Sequence, residues 1–114
     1  MFKFETLEVW KKSQRFCSDI IDDVKKLPND YRYTIGNNLI RAAISVPNNI
    51  AEGSGRKSKK EANNFYNIAK GSVYEVINVS MLLVDKSLIT QPRFDIIYQQ
   101  SEEIARMLTG LMAN

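Results

Sequence analysis

The stretch Arg41-Ala42-Ala43-Ile44-Ser45-Val46-Pro47-Asn48-Asn49-Ile50-Ala51-Glu52-Gly53-Ser54-Gly55-Arg56-Lys57-Ser58-Lys59-Lys60-Glu61 decides the fold. Upstream of its proline, Ile35, Leu39, Ala43 and Val46 fall at alternating helical spacing, and Ile50 continues the register beyond it. That continuity predicts a helix kinked at Pro47, with two shorter helices meeting at Val46 as the alternative. A proline inside a helix forfeits a backbone hydrogen bond and costs roughly 3 kcal/mol, so packing must compensate for it. The second half reads as a glycine-flanked turn. It ends in Ser58-Lys59-Lys60-Glu61, a capping-box pattern that opens another helix.

Working outward, three further segments carry helical periodicity, and no strand pattern competes with them. The first helix is predicted from about Thr6 to Lys26, with Leu7, Trp10, Cys17, Ile21 and Val24 inward, Asp22 paired with Lys26 outside, and a stop at Leu27-Pro28. The second, containing Pro47, is predicted to start near Asp30 as N-cap. The third runs from Ser58 to about Leu88 and carries two apolar stripes. One is Phe65, Ile68, Ser72, Val76, Val79 and Leu83; the other is Tyr66, Val73, Ile77, Met81 and Val84. One stripe suffices for an internal core, and a second points to a partner. The fourth opens at Pro92 and carries Phe94, Ile97, Ser101, Ile104, Leu108 and Leu111. Short connections make residues 1–114 a single all-α domain, an antiparallel up-down-up-down four-helix bundle.

The 114 residues carry a formal net charge of +3, one cysteine and no histidine. One cysteine excludes an internal disulfide and a cysteine-rich zinc site, and the lack of histidine removes the commonest metal ligand and general base. No stretch approaches the roughly 20 apolar residues of a membrane span, and the N-terminus lacks the apolar core of a signal peptide. The expectation is a cytoplasmic protein without cofactor, metal or membrane contact.

The residues that stand out also carry a resemblance. Phe4-Glu5-Thr6-Leu7-Glu8-Val9-Trp10, the block from Arg41 to Gly53, and Ser58, Lys60-Glu61, Phe65, Ile68-Ala69-Lys70-Gly71-Ser72 and Glu75 resemble the bacterial 23S rRNA-intervening sequence proteins, also called the S23 ribosomal protein family. The resemblance implies a four-helix bundle. By analogy with the related accessory variability determinant proteins of diversity-generating retroelements, it implies a homopentamer with a basic surface, binding RNA or DNA and a reverse transcriptase or another protein. Two positions depart from the family pattern. Asn38 stands where glutamine is common, and Ile40 replaces the first of two adjacent arginines, removing a cation from the second helix.

Candidate sites follow from charge placement. Arg56, Lys57, Lys59 and Lys60 surround a helix start, where free amides and the helix dipole already favour an anion, so phosphate binding would explain them. The competing reading is a set of solvated lysines balanced by Glu52 and Glu61. Lys11, Lys12 and Arg15 form a second basic patch, balanced by Glu8 and Asp19. Arg41, Ser45, Asn48 and Glu52 share one face and are expected to form a polar network or subunit contact, with Arg41 reaching Glu52 or Glu75. Trp10, Tyr31, Tyr33 and Tyr66 read as packing residues rather than base-stacking platforms. Gly53-Ser54-Gly55-Arg56-Lys57-Ser58 lacks Walker spacing and a preceding strand, and Cys17 has no base to activate it. No acid, base and nucleophile set can be assembled. The leading expectation is therefore a non-enzymatic, oligomeric, nucleic-acid-binding accessory protein. The alternative is a scaffold that works through protein contacts along the spare stripe of the third helix.

Overall fold

A computed structural model describes residues 1–113. A 3-10 turn at Lys3–Thr6 precedes α1 (Glu8–Lys25), a single turn α2 (Asn29–Arg32), α3 (Ile35–Ser54), α4 (Lys59–Asp85) and α5 (Gln91–Met112). The four long helices pack in the cyclic order α1, α3, α4, α5, each antiparallel to its neighbours, so the up-down-up-down bundle predicted from periodicity is what forms. The rod measures 43 × 21 × 21 Å. Its long dimension is that of α4, whose 27 residues span about 40 Å.

Each helix is amphipathic with one buried stripe, and the stripes meet on the bundle axis. On α1 it is Val9, Ser13, Phe16, Cys17, Ile20 and Val24. Leu7, Trp10 and Ile21, placed inward by the sequence reading, sit at the edge of the core. On α4 the two predicted stripes merge into one, Tyr66, Ala69, Ser72, Val73, Val76, Ser80 and Leu83, leaving Ile68, Met81 and Leu82 exposed. The α5 stripe follows the expected register at Ile97, Ser101, Ile104 and Leu108.

α3 is a single helix through Pro47, so the alternative of two helices meeting at Val46 does not occur. The proline is buried together with Val46 and Ile50, and that packing offsets the lost hydrogen bond. Its start lies later than predicted. Asp30 caps nothing; it belongs to the isolated turn α2, and Thr34 breaks the path before α3 begins. Gly36 holds the corner because a side chain there would lie 2.8 Å from Val24 Cγ1. Gly53 is likewise not a turn residue but the penultimate residue of α3. A Cβ at that position would come within 2.6 Å of the Tyr66 ring, so the glycine permits close approach of α3 and α4.

The caps follow local chemistry. Ser58 Oγ accepts from Glu61 N–H at 3.1 Å and donates to the Glu61 carboxylate at 3.1 Å, so the expected capping box is half formed. Thr90 Oγ1 accepts from Arg93 N–H at 3.2 Å, with Pro92 in the first turn of α5. α4 ends at Asp85, three residues before the predicted Leu88, because Ser87 turns into the left-handed region (φ 59°) and Leu88 N–H bonds back to Leu83 O at 2.8 Å.

Across the outer seam, Asp22 makes no pair with Lys26. Its neighbour Asp23 instead binds Arg93 on α5. No helix among the described residues is long and apolar enough to cross a membrane.

Candidate functional site

Antiparallel packing brings four chain segments to one end of the bundle: the 3-10 turn, the C-terminal end of α3, the first turn of α4 and the last turn of α5. Between them lies a cleft of about 250 Å³ lined by Lys3, Ser54, Arg56, Lys57, Ser58, Lys59, Asn63 and Tyr66. Three of the four cations flagged around this helix start line it. Lys3 arrives from the far N-terminus and carried no local signal in the sequence.

The cations divide into engaged and free. Arg56 binds the Glu52 carboxylate at 2.7 Å and lies over the Phe65 ring at 4.5 Å from its centroid. Lys59 Nζ donates to Leu111 O at 3.1 Å. That contact supplies the local reason that the sequence alone did not give. Lysine opposes the dipole of α4, but it caps the carbonyl end of the antiparallel α5, where a cation is favourable. Lys3, Lys57 and Lys60 have no ion-pair partner among the described residues. Beneath them, Asn63 Nδ2 donates to Met112 O at 3.1 Å. Asn63 Oδ1 is buried with no partner among the described residues. Burial raises the Tyr66 phenol above its ordinary pKa.

The second basic patch faces a groove of about 370 Å³ between α1 and α5. Lys11 pairs with Glu8 at 3.4 Å and Lys12 with Glu103 at 3.3 Å; Arg15 is left without a partner among the described residues. Glu103, not Asp19, supplies the second balancing charge, a contact invisible before the helices were paired.

The polar network expected around Arg41 does not form within one chain. Arg41, Asn48, Glu52 and Glu75 are all exposed, and Glu52 is committed to Arg56. The residues do share a face, as their spacing required, but it is the outer face of α3 rather than a buried one. Ser45 alone is held inward: Ser72 Oγ donates to Ser45 Oγ at 2.8 Å, and Asn49 Nδ2 donates to Ser45 Oγ at 2.9 Å. Arg41, Ile44 and Asn48 line a shallow groove on this face with Asn37 and Ile40. Ile40 packs partly into the core. Cys17 is buried, and its thiol pKa is raised by that burial, as befits a core residue. Trp10 packs edge-on against Phe4 with ring centroids 4.9 Å apart, and Tyr66 lies in the core, whereas Tyr31 and Tyr33 are exposed.

An antiparallel four-helix bundle with a cationic cleft at one end and an exposed polar and apolar face on α3 and α4 defines a class of small helical module. The profile of the 23S rRNA-intervening sequence protein family matches residues 5–110, and the chain belongs to that family. Among solved structures, it is similar to a protein of unknown function from the S23 ribosomal protein family of Bacteroides thetaiotaomicron. The two share 26% identity over 93% of this chain and 99% of that one, with a TM-score of 0.86. A comparison with curated proteins returns no match.

Proposed function

We propose that this chain is a non-enzymatic, self-associating bundle of the cytoplasm that binds nucleic acid through its basic end. The observation that carries the reading is the meeting of Lys3 and Lys57, neither of them ion-paired among the described residues, in the cleft beside the open first turn of α4, which itself carries the unpaired Lys60. Unpaired cations beside a helix N-terminus attract phosphate, and each phosphate neutralised releases condensed counterions. One chain offers few such contacts. Self-association through the outer face of α3 and α4, where Ile44, Ile68 and Leu82 are 39%, 52% and 42% exposed, would repeat the cluster into a larger basic surface. The pentameric number stays with the family resemblance.

Fluorescence anisotropy with RNA and DNA oligonucleotides across a salt series tests this. Binding is expected at low salt, with log affinity falling linearly in log salt. Replacing Arg56, Lys57, Lys59 and Lys60 by alanine should weaken it and flatten that slope. Absence of binding at low salt, or an unchanged slope in the variant, refutes the reading.

A second reading, a scaffold acting through protein contacts alone, draws on a groove of about 400 Å³ between α4 and α5 that includes Tyr74, Ile77 and Tyr98. Specific capture of a protein, with no nucleic acid retained, would favour it.

A further inference from the structure

We propose that the groove between α4 and α5 seats an unpaired base of a single nucleic-acid strand; that the ligand is nucleic acid rests on the function proposed above. The observation that points to a ligand is Ser101 on α5. It is 0% exposed and lines the floor of the groove, and its Oγ is buried without a hydrogen-bond partner among the described residues. Buried hydroxyls elsewhere satisfy themselves against their own helix: Ser13 and Ser54 donate to Trp10 O and Ala51 O, each at 2.8 Å. Ser101 forgoes that bond. Ser80 Oγ is also unpartnered among the described residues, but it lines none of the grooves described above.

The walls suit a planar ring. Tyr74 from α4 and Tyr98 from α5 line the groove at 57% and 40% exposure, together with Ile77 and Ala105, and Phe94 lies 6.0 Å from the Tyr98 ring, centroid to centroid. Exposed side chains turn within picoseconds to nanoseconds, so the two rings part as a ligand enters and close on its faces. The volume of about 400 Å³ falls within the roughly 300 to 1,000 Å³ of small-molecule sites. Lys70, whose Nζ donates to Thr109 Oγ1 at 2.8 Å, and Arg106 also line the groove. Neither has an ion-pair partner among the described residues, and the lining sets only one carboxylate, Glu102, against them. Aromatic rings under the bases and cations along the backbone are the general means of holding a single strand.

The floor distinguishes the occupant. An amphipathic helix laid in the groove presents an apolar stripe, and its backbone amides are already spent on one another, so Ser101 Oγ would stay unpartnered. A base carries donors and acceptors on its edge and a π-face on either side. A serine hydroxyl both donates and accepts, so it meets any such edge. Bases inside a duplex keep their faces and pairing edges for one another. The groove therefore admits a single strand and excludes a duplex, whereas the lysines at the end of the bundle attract either.

The test is fluorescence anisotropy of the full chain with a labelled dT strand of about 12 nucleotides, which cannot pair with itself, and with the dT·dA duplex of equal length. At low salt, Tyr74→Ala and Tyr98→Ala should each weaken single-strand binding at least about fivefold while leaving duplex affinity within about twofold. Tyr74→Phe and Tyr98→Phe keep the rings and should hold single-strand affinity within about twofold. Ser101→Ala should weaken the single strand by about threefold or more with an unchanged or higher melting midpoint, because the free chain leaves that hydroxyl unpaired. Equal losses for strand and duplex, or single-strand affinity that survives both alanine variants, overturns the proposal and leaves binding through the basic end standing. Capture of a protein that Tyr74→Ala releases, with single-strand affinity unmoved by the same substitution, would give the groove to a protein instead. Absence of binding to both probes at low salt refutes the function proposed above and this seat with it.

Discussion

Arg93 Nε donates to both carboxylate oxygens of Asp23, at 2.8 and 2.9 Å, and so ties the first turn of α5 to the last turn of α1. Both side chains are largely shielded, at 23% and 10% exposure. Arg93 Nη2 is already buried without a partner among the described residues. Asp23→Ala would leave the guanidinium wholly uncompensated. A loss of about 2 kcal/mol is expected, between the cost of breaking exposed and fully buried pairs. Urea denaturation of the two single variants and the double variant measures it, and a coupling energy near zero would show the contact to be incidental.

Two glycines make opposite predictions. Gly53→Ala drives a methyl group to 2.6 Å from Tyr66 Cε1 and 3.0 Å from Ala62 O. Overpacking of about 1 to 3 kcal/mol then outweighs the roughly 1 kcal/mol of helix propensity gained. Gly71→Ala meets nothing within 4 Å, so the propensity term stands alone and stability rises by about 0.5 to 1 kcal/mol. Thermal melting of both variants checks the pair, and a matching sign in the two would contradict the geometry.

Arg41→Ala tests where the family's central block acts. With Arg41 exposed and unbonded among the described residues, the variant should shift the unfolding free energy of the isolated chain by no more than about 0.5 kcal/mol. Ile44→Asp and Ile68→Asp, on the exposed face, should lower the sedimentation coefficient while preserving helicity. Unaltered sedimentation in both would remove this face as the assembly surface.

Burial raises the pKa of both Tyr66 and Cys17. The sign is fixed by linkage. Above the unfolded values the unfolded chain releases protons that the folded chain retains, so the contribution is complete below them and lost as pH climbs through the folded values. Stability should therefore decline above the ordinary thiol and phenol values of 9.0 and 10.0. Tyr66→Phe and Cys17→Ala, melted between pH 7 and 11, should each flatten part of that decline. A pH profile unchanged from that of the unmutated chain in both variants would show that neither group drives it.

Much of the fold was legible because periodicity reports which residues a helix buries. The α3 and α5 stripes appear in the sequence as Leu39, Ala43, Val46 and Ile50, and as Ile97, Ser101, Ile104 and Leu108. α4 was less legible. Its surface is apolar over so wide an arc that two stripes could be drawn, and only packing against α3 and α5 merged them, burying Tyr66 and Val73 from one and Ser72, Val76 and Leu83 from the other while leaving Ile68 and Met81 exposed. The site was half legible. The loop cations were plain, but the partners that engage Lys59 and Lys12 come from α5, and Lys3 comes from a turn with no periodic signal.

The α1–α5 seam is the most sparsely packed of the four, and it joins helices that lie farthest apart along the chain. Every other seam links sequence neighbours across a short connection. Such an order favours fast folding, because early contacts are local and only the last must close a long loop. The same seam, held by Arg93 with Asp23 and by Lys12 with Glu103, is where native-state openings should begin. Hydrogen exchange would then resolve α3 and α4 as the slow core, with the flanking helices α1 and α5 exchanging sooner.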